Sequence, residues 1–131
     1  MPKRKTVTRH GTLRTLKNVS YENQVTVWLM QDGWQVFRPV LDDGHSTDIL
    51  ISDGPNYFRV QVKTVDASNE QRFIENRWQE SNVDVVVVFA RDSNWGYVLP
   101  AFTEYRRKLN AQGHHKFTTN KREFLRAFHK V

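Results

Sequence analysis

The sequence predicts a mixed α/β fold: a central five-stranded sheet flanked by helices, in the order α-β-β-β-α-β-β. Three observations carry that prediction. Three β-rich segments follow one another with only turn sequences between them, which describes an antiparallel meander. A segment with helical spacing then leads to VDVVVVFA, a continuous β-branched run of the kind buried on both faces of a sheet. A helical crossover into such a strand implies parallel pairing at that point.

The elements follow in order. Residues 1–16 are basic and polar, and predict a flexible arm. A first helix is expected from about Ser20 to Gln31, capped by Asn18 or Ser20 and ended by QDGW. WQVFRPV is the first strand, with Pro39 placing its end at an edge. LDDG turns the chain into TDILI, and DGPN turns it again into YFRVQVKTV. ASNEQRFIENRWQES reads as the second helix, with Ser68 as cap and Phe73, Ile74, Arg77 and Trp78 on one stripe. VDVVVVFA is the fourth strand. SNWG then turns into YVLP, a fifth strand stopped by Pro100. TEYRRKLNA reads as helix. Asn120 followed by Glu123 predicts the start of a last helix, KREFLRAFHK, with Phe124, Leu125 and Phe128 as its apolar stripe. A length of 131 residues suits one domain. Its expected parts are the arm (1–16), the core (17–100) and a C-terminal helical segment (101–131).

Composition narrows the classes of function. The chain has no cysteine, which removes disulfides, thiolate metal sites and a cysteine nucleophile. No apolar run approaches the ~20 residues needed to span a bilayer, and the basic start MPKRKTVTRHGT has no apolar segment behind it. The expectation is a cytoplasmic protein with no membrane association. The formal charge is +6, and its distribution says more than its size. Lys3, Arg4, Lys5, Arg9, Arg14 and Lys17 occur with no acid among them, and Lys121, Arg122, Arg126 and Lys130 occur with only Glu123 against them. A polyanion, most simply nucleic acid, is the natural partner; basic ends that only aid solubility are the plainer alternative.

One stretch carries more specific chemistry. In RVQVKT the side chains alternate, so Gln61 and Lys63 share one face while Val60 and Val62 share the other. Asp48 lies one hairpin away, and a suitable register would set it beside Gln61 and Lys63. On a helical wheel Leu29 lies about 20° from Glu22, Thr26 about 40°, and Val19 and Val25 about 60° to either side. Glu22 is therefore centred on an apolar stripe, where a carboxylate is costly unless it is met by a cation or a hydrogen-bond donor. A structural ion pair with Lys63 or a backbone amide would satisfy it; so would a metal. Together, two carboxylates, an amide oxygen and an amine suit Mg²⁺ or Mn²⁺. Such an ion acidifies water and neutralises charge on a phosphate, and a nearby lysine can stabilise the same charge.

The run GWQVFRPVLDDGHSTDILISDGPNYFRVQVKTV, preceded by a helix with Glu22, resembles the core of the PD-(D/E)xK nuclease superfamily. Among its members the small Holliday junction resolvases of archaea and their viruses and the intron-encoded homing endonucleases are the most similar. NRWQESNVDVVVVFA and WGYVLP extend the likeness over about Lys17 to Pro100. The resemblance implies a restriction-endonuclease-like fold and a metal-dependent DNA endonuclease. Asp48, Gln61, the Val62 carbonyl and Glu22 would hold Mg²⁺ or Mn²⁺, and Lys63 would position the attacking water or stabilise the transition state. Glu22, Asp48, Gln61 and Lys63 are thus the implied catalytic set. His45 and Ser46, with the basic arm, would touch DNA; a solvent-exposed loop is the alternative for His45. Thr47 stands where the family has proline, and Gln61 replaces an acidic residue, a change the homing branch tolerates. Three functions follow: a Holliday junction resolvase first, then a sequence-specific homing or restriction-type endonuclease, then a DNA-binding derivative without catalysis. Paired nicks in a four-way junction imply a two-fold homodimer, with Trp78 and Trp95 as interface candidates and core packing as the stronger alternative for Trp78. The implied setting is nucleoid-associated, or a viral protein made in the host cytoplasm. QGHHKF has no assigned role, and adjacent His114 and His115 are poorly placed to chelate one ion.

Overall fold

The computed structural model describes residues 2–42, 44–66, 69–78 and 82–131. Helix α1 spans His10–Gln31, and is followed by β1 (Gln35–Phe37), β2 (Ile49–Ser52) and β3 (Tyr57–Val65). Strand β4 (Phe73–Glu75) comes next, then β5 (Val85–Ala90), β6 (Trp95–Pro100), β7 (Arg106–Lys108), β8 (His115–Thr118) and α2 (Lys121–Phe128). The main sheet has six strands in the order β1-β2-β3-β5-β6-β8, while β4 and β7 form a separate two-stranded ribbon. The meander β1-β2-β3 is antiparallel, and β3 pairs with β5 in parallel, as the segment order requires. The sheet is mixed, and the expected fold class holds with one strand more.

Three expectations are corrected. Helix α1 begins ten residues before Ser20, so neither Asn18 nor Ser20 caps it; Arg9 does, with no side-chain cap bond. The arm therefore shortens to the residues before His10. The second helix is absent from the described part of its segment, where β4 lies instead; Ser68 and residues 79–81 fall outside the described residues. Burial there follows period two, with Ile74, Asn76 and Trp78 buried and Phe73 and Arg77 exposed, which is the signature of extended chain. Asn76 fixes that extension. Its Nδ2 donates to the Phe102 carbonyl at 2.7 Å and its Oδ1 accepts from the Trp78 amide at 3.0 Å. TEYRRKLNA likewise yields β7, which pairs antiparallel with β4, and the C-terminal segment contributes β8 before α2. The last helix begins as expected, with Asn120 Oδ1 accepting from the Glu123 amide at 2.9 Å.

Two apolar clusters sandwich the sheet. One packs Val25, Trp28 and Leu29 of α1 and Phe124 and Phe128 of α2 on Ile49, Ile51, Val60, Val87 and Phe89. The other packs Ile74, Trp78, Phe102 and Leu109 on Val65, Val86, Val88 and Leu99. Trp78 is 3% exposed and meets Phe102 edge-on, so it belongs to the core and is unavailable to a dimer interface. Among the described residues no helix is long and apolar enough to cross a membrane.

Gly96 lets β6 pass close beneath β8. A Cβ there would lie 2.5 Å from the Phe117 ring and against the Val88 carbonyl. Gly96→Ala is expected to destabilise the protein by about 2–3 kcal/mol, through the strain of overpacking a filled core. A fall in the thermal melting midpoint checks it.

Candidate active site

Strand β3 outlasts its partner. The β2–β3 ladder ends with Ile49 opposite Val60, and the Asp48 amide still donates to the Val60 carbonyl at 3.1 Å. Beyond that point the strands fork. The Asp48 side chain fills the fork, its Oδ2 accepting from the Val62 amide at 2.6 Å. A strand residue directs its amide and carbonyl to the same side, so the Val62 carbonyl also faces the fork. Both backbone and side chain thus tie Asp48 to the Val60–Val62 stretch of β3. Val60 and Val62 pack toward α1, so Gln61, which alternates with them, turns to the other face of the strand.

Glu22 reaches the fork from α1. Its apolar neighbours on the helix are anchored in the core, and the two carboxyl groups are hydrogen-bonded to each other. Burial, then the Asp48 charge, pushes the Glu22 carboxyl up to about 7. Burial also raises Asp48, against the opposing pull of the Val62 amide. Two carboxyls this close resist ionising together, and Glu22 is the one pushed up toward neutrality. Arg38, just past β1, answers part of this charge. Its Nη1 lies 3.8 Å from Glu22 Oε2, and its Nη2 donates to Asn23 and Thr26 at 2.6 and 3.0 Å. Sequence reasoning missed Arg38, because a lone arginine after a strand carries no spacing signal. Glu22 thus pairs with Asp48 and Arg38, not with Lys63.

Because Glu22 is raised, the native state binds more protons than the unfolded chain between about pH 4.5 and 7. The contribution of Glu22 to stability is present below that window and lost as pH rises through it. In chelator the melting midpoint should fall across this range, by the equivalent of about 1 kcal/mol after solvent screening. Glu22→Gln should flatten that component. A pH series of thermal melts on both proteins checks it.

Gln61 Oε1 is buried and has no hydrogen-bond partner among the described residues. An unpartnered buried acceptor costs about 1–3 kcal/mol. The two carboxyls at the fork and the unmet oxygen of Gln61 on the adjoining strand are all oxygen donors, the kind that a hard divalent cation takes. Among the described residues no cluster of three or more His, Cys, Asp or Glu side chains could hold a metal, so such an ion would depend on Gln61 and the Val62 carbonyl as well as Glu22 and Asp48.

Lys63 is on the Gln61 face but makes no ion pair with either carboxylate. Its Nζ donates to the Glu75 carbonyl at 3.3 Å and lies 5.9 Å from the centre of the Trp78 ring. Burial, then the Arg77 charge, lowers its pKa. His45 is exposed and lines a cleft of about 290 Å³ with Arg38, Asp42 and Arg59. Ser46 adopts φ +55°, and its Oγ donates to the Arg77 carbonyl at 3.4 Å. The predicted basic residues divide. Lys3, Arg4, Lys5 and Arg9 are exposed ahead of α1. Arg14 and Lys17 sit on α1 and pair internally with Asp66 at 3.7 Å and Asp92 at 2.7 Å. His114 is buried, its Nδ1 2.8 Å from the Leu109 carbonyl, and takes no part in the site.

In sequence, no protein family and no curated protein matches this chain. Solved structures do. A bacterial homing endonuclease, I-Ssp6803I, superposes with a TM-score of 0.55 at 18% identity, covering 81% of this chain and 75% of that one. Hjc, a Holliday junction resolvase from the archaeal hyperthermophile Archaeoglobus fulgidus, superposes with a TM-score of 0.51 at 16% identity, covering 83% and 88%. The likeness establishes a restriction-endonuclease-like fold.

Proposed function

We propose that the protein is a PD-(D/E)xK-type, divalent-metal-dependent DNA endonuclease that acts on branched DNA, with the four-way junction as its preferred substrate. The observation that carries this reading is the hydrogen-bonded Glu22–Asp48 pair at the fork of β2 and β3. The basic arm and the two nuclease-like superpositions support DNA as the polymer.

Glu22, Asp48, Gln61 and the Val62 carbonyl would hold Mg²⁺ or Mn²⁺. The bound ion would acidify a water and neutralise charge building on the scissile phosphate. As ligands, Glu22 and Asp48 would both be ionised, so binding of the ion would release the proton that Glu22 holds. The Val62 amide keeps Asp48 turned into the fork, and Arg38 keeps Glu22 beside it. Lys63, released from the Glu75 carbonyl, presents its ammonium to the attacking water or to a non-bridging phosphate oxygen. His45 and Ser46 border the approach of the phosphate.

The exposed basic arm suits recognition of shape through phosphates. Two symmetric nicks would then call for a homodimer. The homing endonuclease likeness supports a second reading, sequence-specific duplex cleavage. The protein should be incubated with Mg²⁺ and equal amounts of a four-way junction and a linear duplex of the same sequence. Paired nicks confined to the junction are expected. Duplex cuts fixed by sequence would replace this reading with the second.

A further inference from the structure

The β4–β7 ribbon is the element the sequence did not announce, and its outward face is chemically distinctive. Ile74 and Leu109 turn inward to the second apolar cluster. Phe73, Arg106 and Lys108 turn outward and are exposed. Phe73 stands opposite Lys108 in the register, and the Arg106 guanidinium lies over the Phe73 ring, 4.2 Å from its centre.

Most arginines and lysines near acids in this molecule are neutralised. Arg14, Lys17, Arg38, Arg77, Arg91, Arg107, Lys116 and Arg126 all pair with carboxylates. Among the described residues Arg106 and Lys108 have no such partner. Glu75, the one acid on this face of the ribbon, is already bound by Arg77 at 2.6 Å. Beside the ribbon lies a cleft of about 330 Å³ lined by Lys63 and Arg72 together with the ion-paired Arg77–Glu75 and Arg91–Asp66. The outward face of the ribbon itself, with Arg106 and Lys108 beside Phe73, is cationic with aromatic support.

Two hydrogen bonds join this surface to the catalytic fork. Lys63 donates to the Glu75 carbonyl of β4, and Ser46, two residues before Asp48, donates to the Arg77 carbonyl just beyond it. A two-stranded ribbon is about 5 Å between strand axes, and a major groove about 12 Å wide admits one.

We propose that the outward face of the β4–β7 ribbon is the docking surface for a duplex arm of the DNA substrate. Arg106 and Lys108 hold it by its phosphates while the scissile bond lies at Glu22 and Asp48. The assignment rests on the nuclease reading, and its test keeps the two apart by measuring binding in chelator, without cleavage.

The test compares Arg106→Glu/Lys108→Glu with Lys121→Glu/Lys130→Glu. The second pair makes the same charge change on and beside α2, whose packing is on the opposite face of the sheet. Dissociation constants for a fluorescent four-way junction are measured in EDTA at several salt concentrations. The ribbon variant should bind at least about tenfold more weakly, with a salt slope reduced by about two, one for each phosphate no longer neutralised. The α2 variant, which alters the second basic run of the sequence, should lose clearly less affinity than the ribbon variant. Arg106→Gln/Lys108→Gln, with an unchanged melting midpoint, should show a smaller loss in the same direction and excludes misfolding as the cause. Wild-type affinity in the ribbon variants, or a larger loss in the α2 variant, would overturn the assignment while leaving the nuclease reading intact. A wild type that binds DNA through the ribbon but cuts with no metal would overturn the nuclease reading and leave the docking surface standing. A wild type that binds no DNA would overturn both.

Discussion

Asp48→Asn is expected to lower metal-dependent cleavage by on the order of 10³-fold while DNA binding in chelator stays close to wild type. Asn retains an oxygen at the fork, so the Val62 amide keeps its acceptor and the strand geometry survives. What disappears is one of the two carboxyls that meet at the fork. Gln61 supplies no charge to replace it. The remaining Glu22 carboxylate is already drawn toward Arg38, so an ion with a single charged ligand would be held weakly and would polarise water poorly. Single-turnover rates on a pre-bound junction separate this loss from any change in binding. Asp48→Ala should be worse on stability as well as rate, because it leaves the buried Val62 amide unsatisfied.

Gln61→Glu carries the second large effect, in the opposite direction. The Gln61 oxygen is buried and unpartnered, so a carboxylate of nearly the same shape meets no steric obstacle. In the metal-free protein a buried carboxylate at position 61 is unfavourable, since among the described residues nothing donates to it. The metal-free variant should melt lower than wild type at pH 8 and recover at pH 5, where the added group is protonated. With Mg²⁺ the sign reverses. The added charge should tighten binding, so half-maximal cleavage is reached at roughly tenfold less Mg²⁺. A Mg²⁺ titration of cleavage rate, with thermal melts in chelator and in Mg²⁺, tests both halves. An unchanged Mg²⁺ requirement would place Gln61 outside the ion's ligands.

How far these features were legible in the sequence depends on the range of the interactions that make them. The meander was readable because each turn is local and each strand alternates. The local register allowed Asp48 to lie near Gln61 without fixing it, and the wheel position of Glu22 marked it as out of place. Features decided at long range were not readable. The first turns of α1 lack a cap and an apolar face; ion pairs such as Lys17–Asp92, 75 residues apart, tie them to the body. In β4 the residues Phe73, Ile74, Arg77 and Trp78 fit a helical stripe as well as they fit a strand. The Asn76 bond to Phe102 and the pairing with β7 decide between them. Lys63 was read as sharing a face with Gln61, but its engagement with the Glu75 carbonyl depends on that same unannounced strand. Arg38 could be assigned to Glu22 only once β1 had been laid beside α1.

Whether the fork of β2 and β3 is a metal-dependent phosphodiesterase site is tested most directly by one measurement. A labelled four-way junction is incubated with the wild-type protein over a Mg²⁺ titration, with EDTA as the zero point and Mn²⁺ in parallel. No cleavage is expected in EDTA, and strand nicks should rise and saturate with Mg²⁺. Asp48→Asn should give none above background at any concentration that saturates the wild type. Intact junction at every concentration of both ions, from a protein that binds it, would contradict a phosphodiesterase site at the fork.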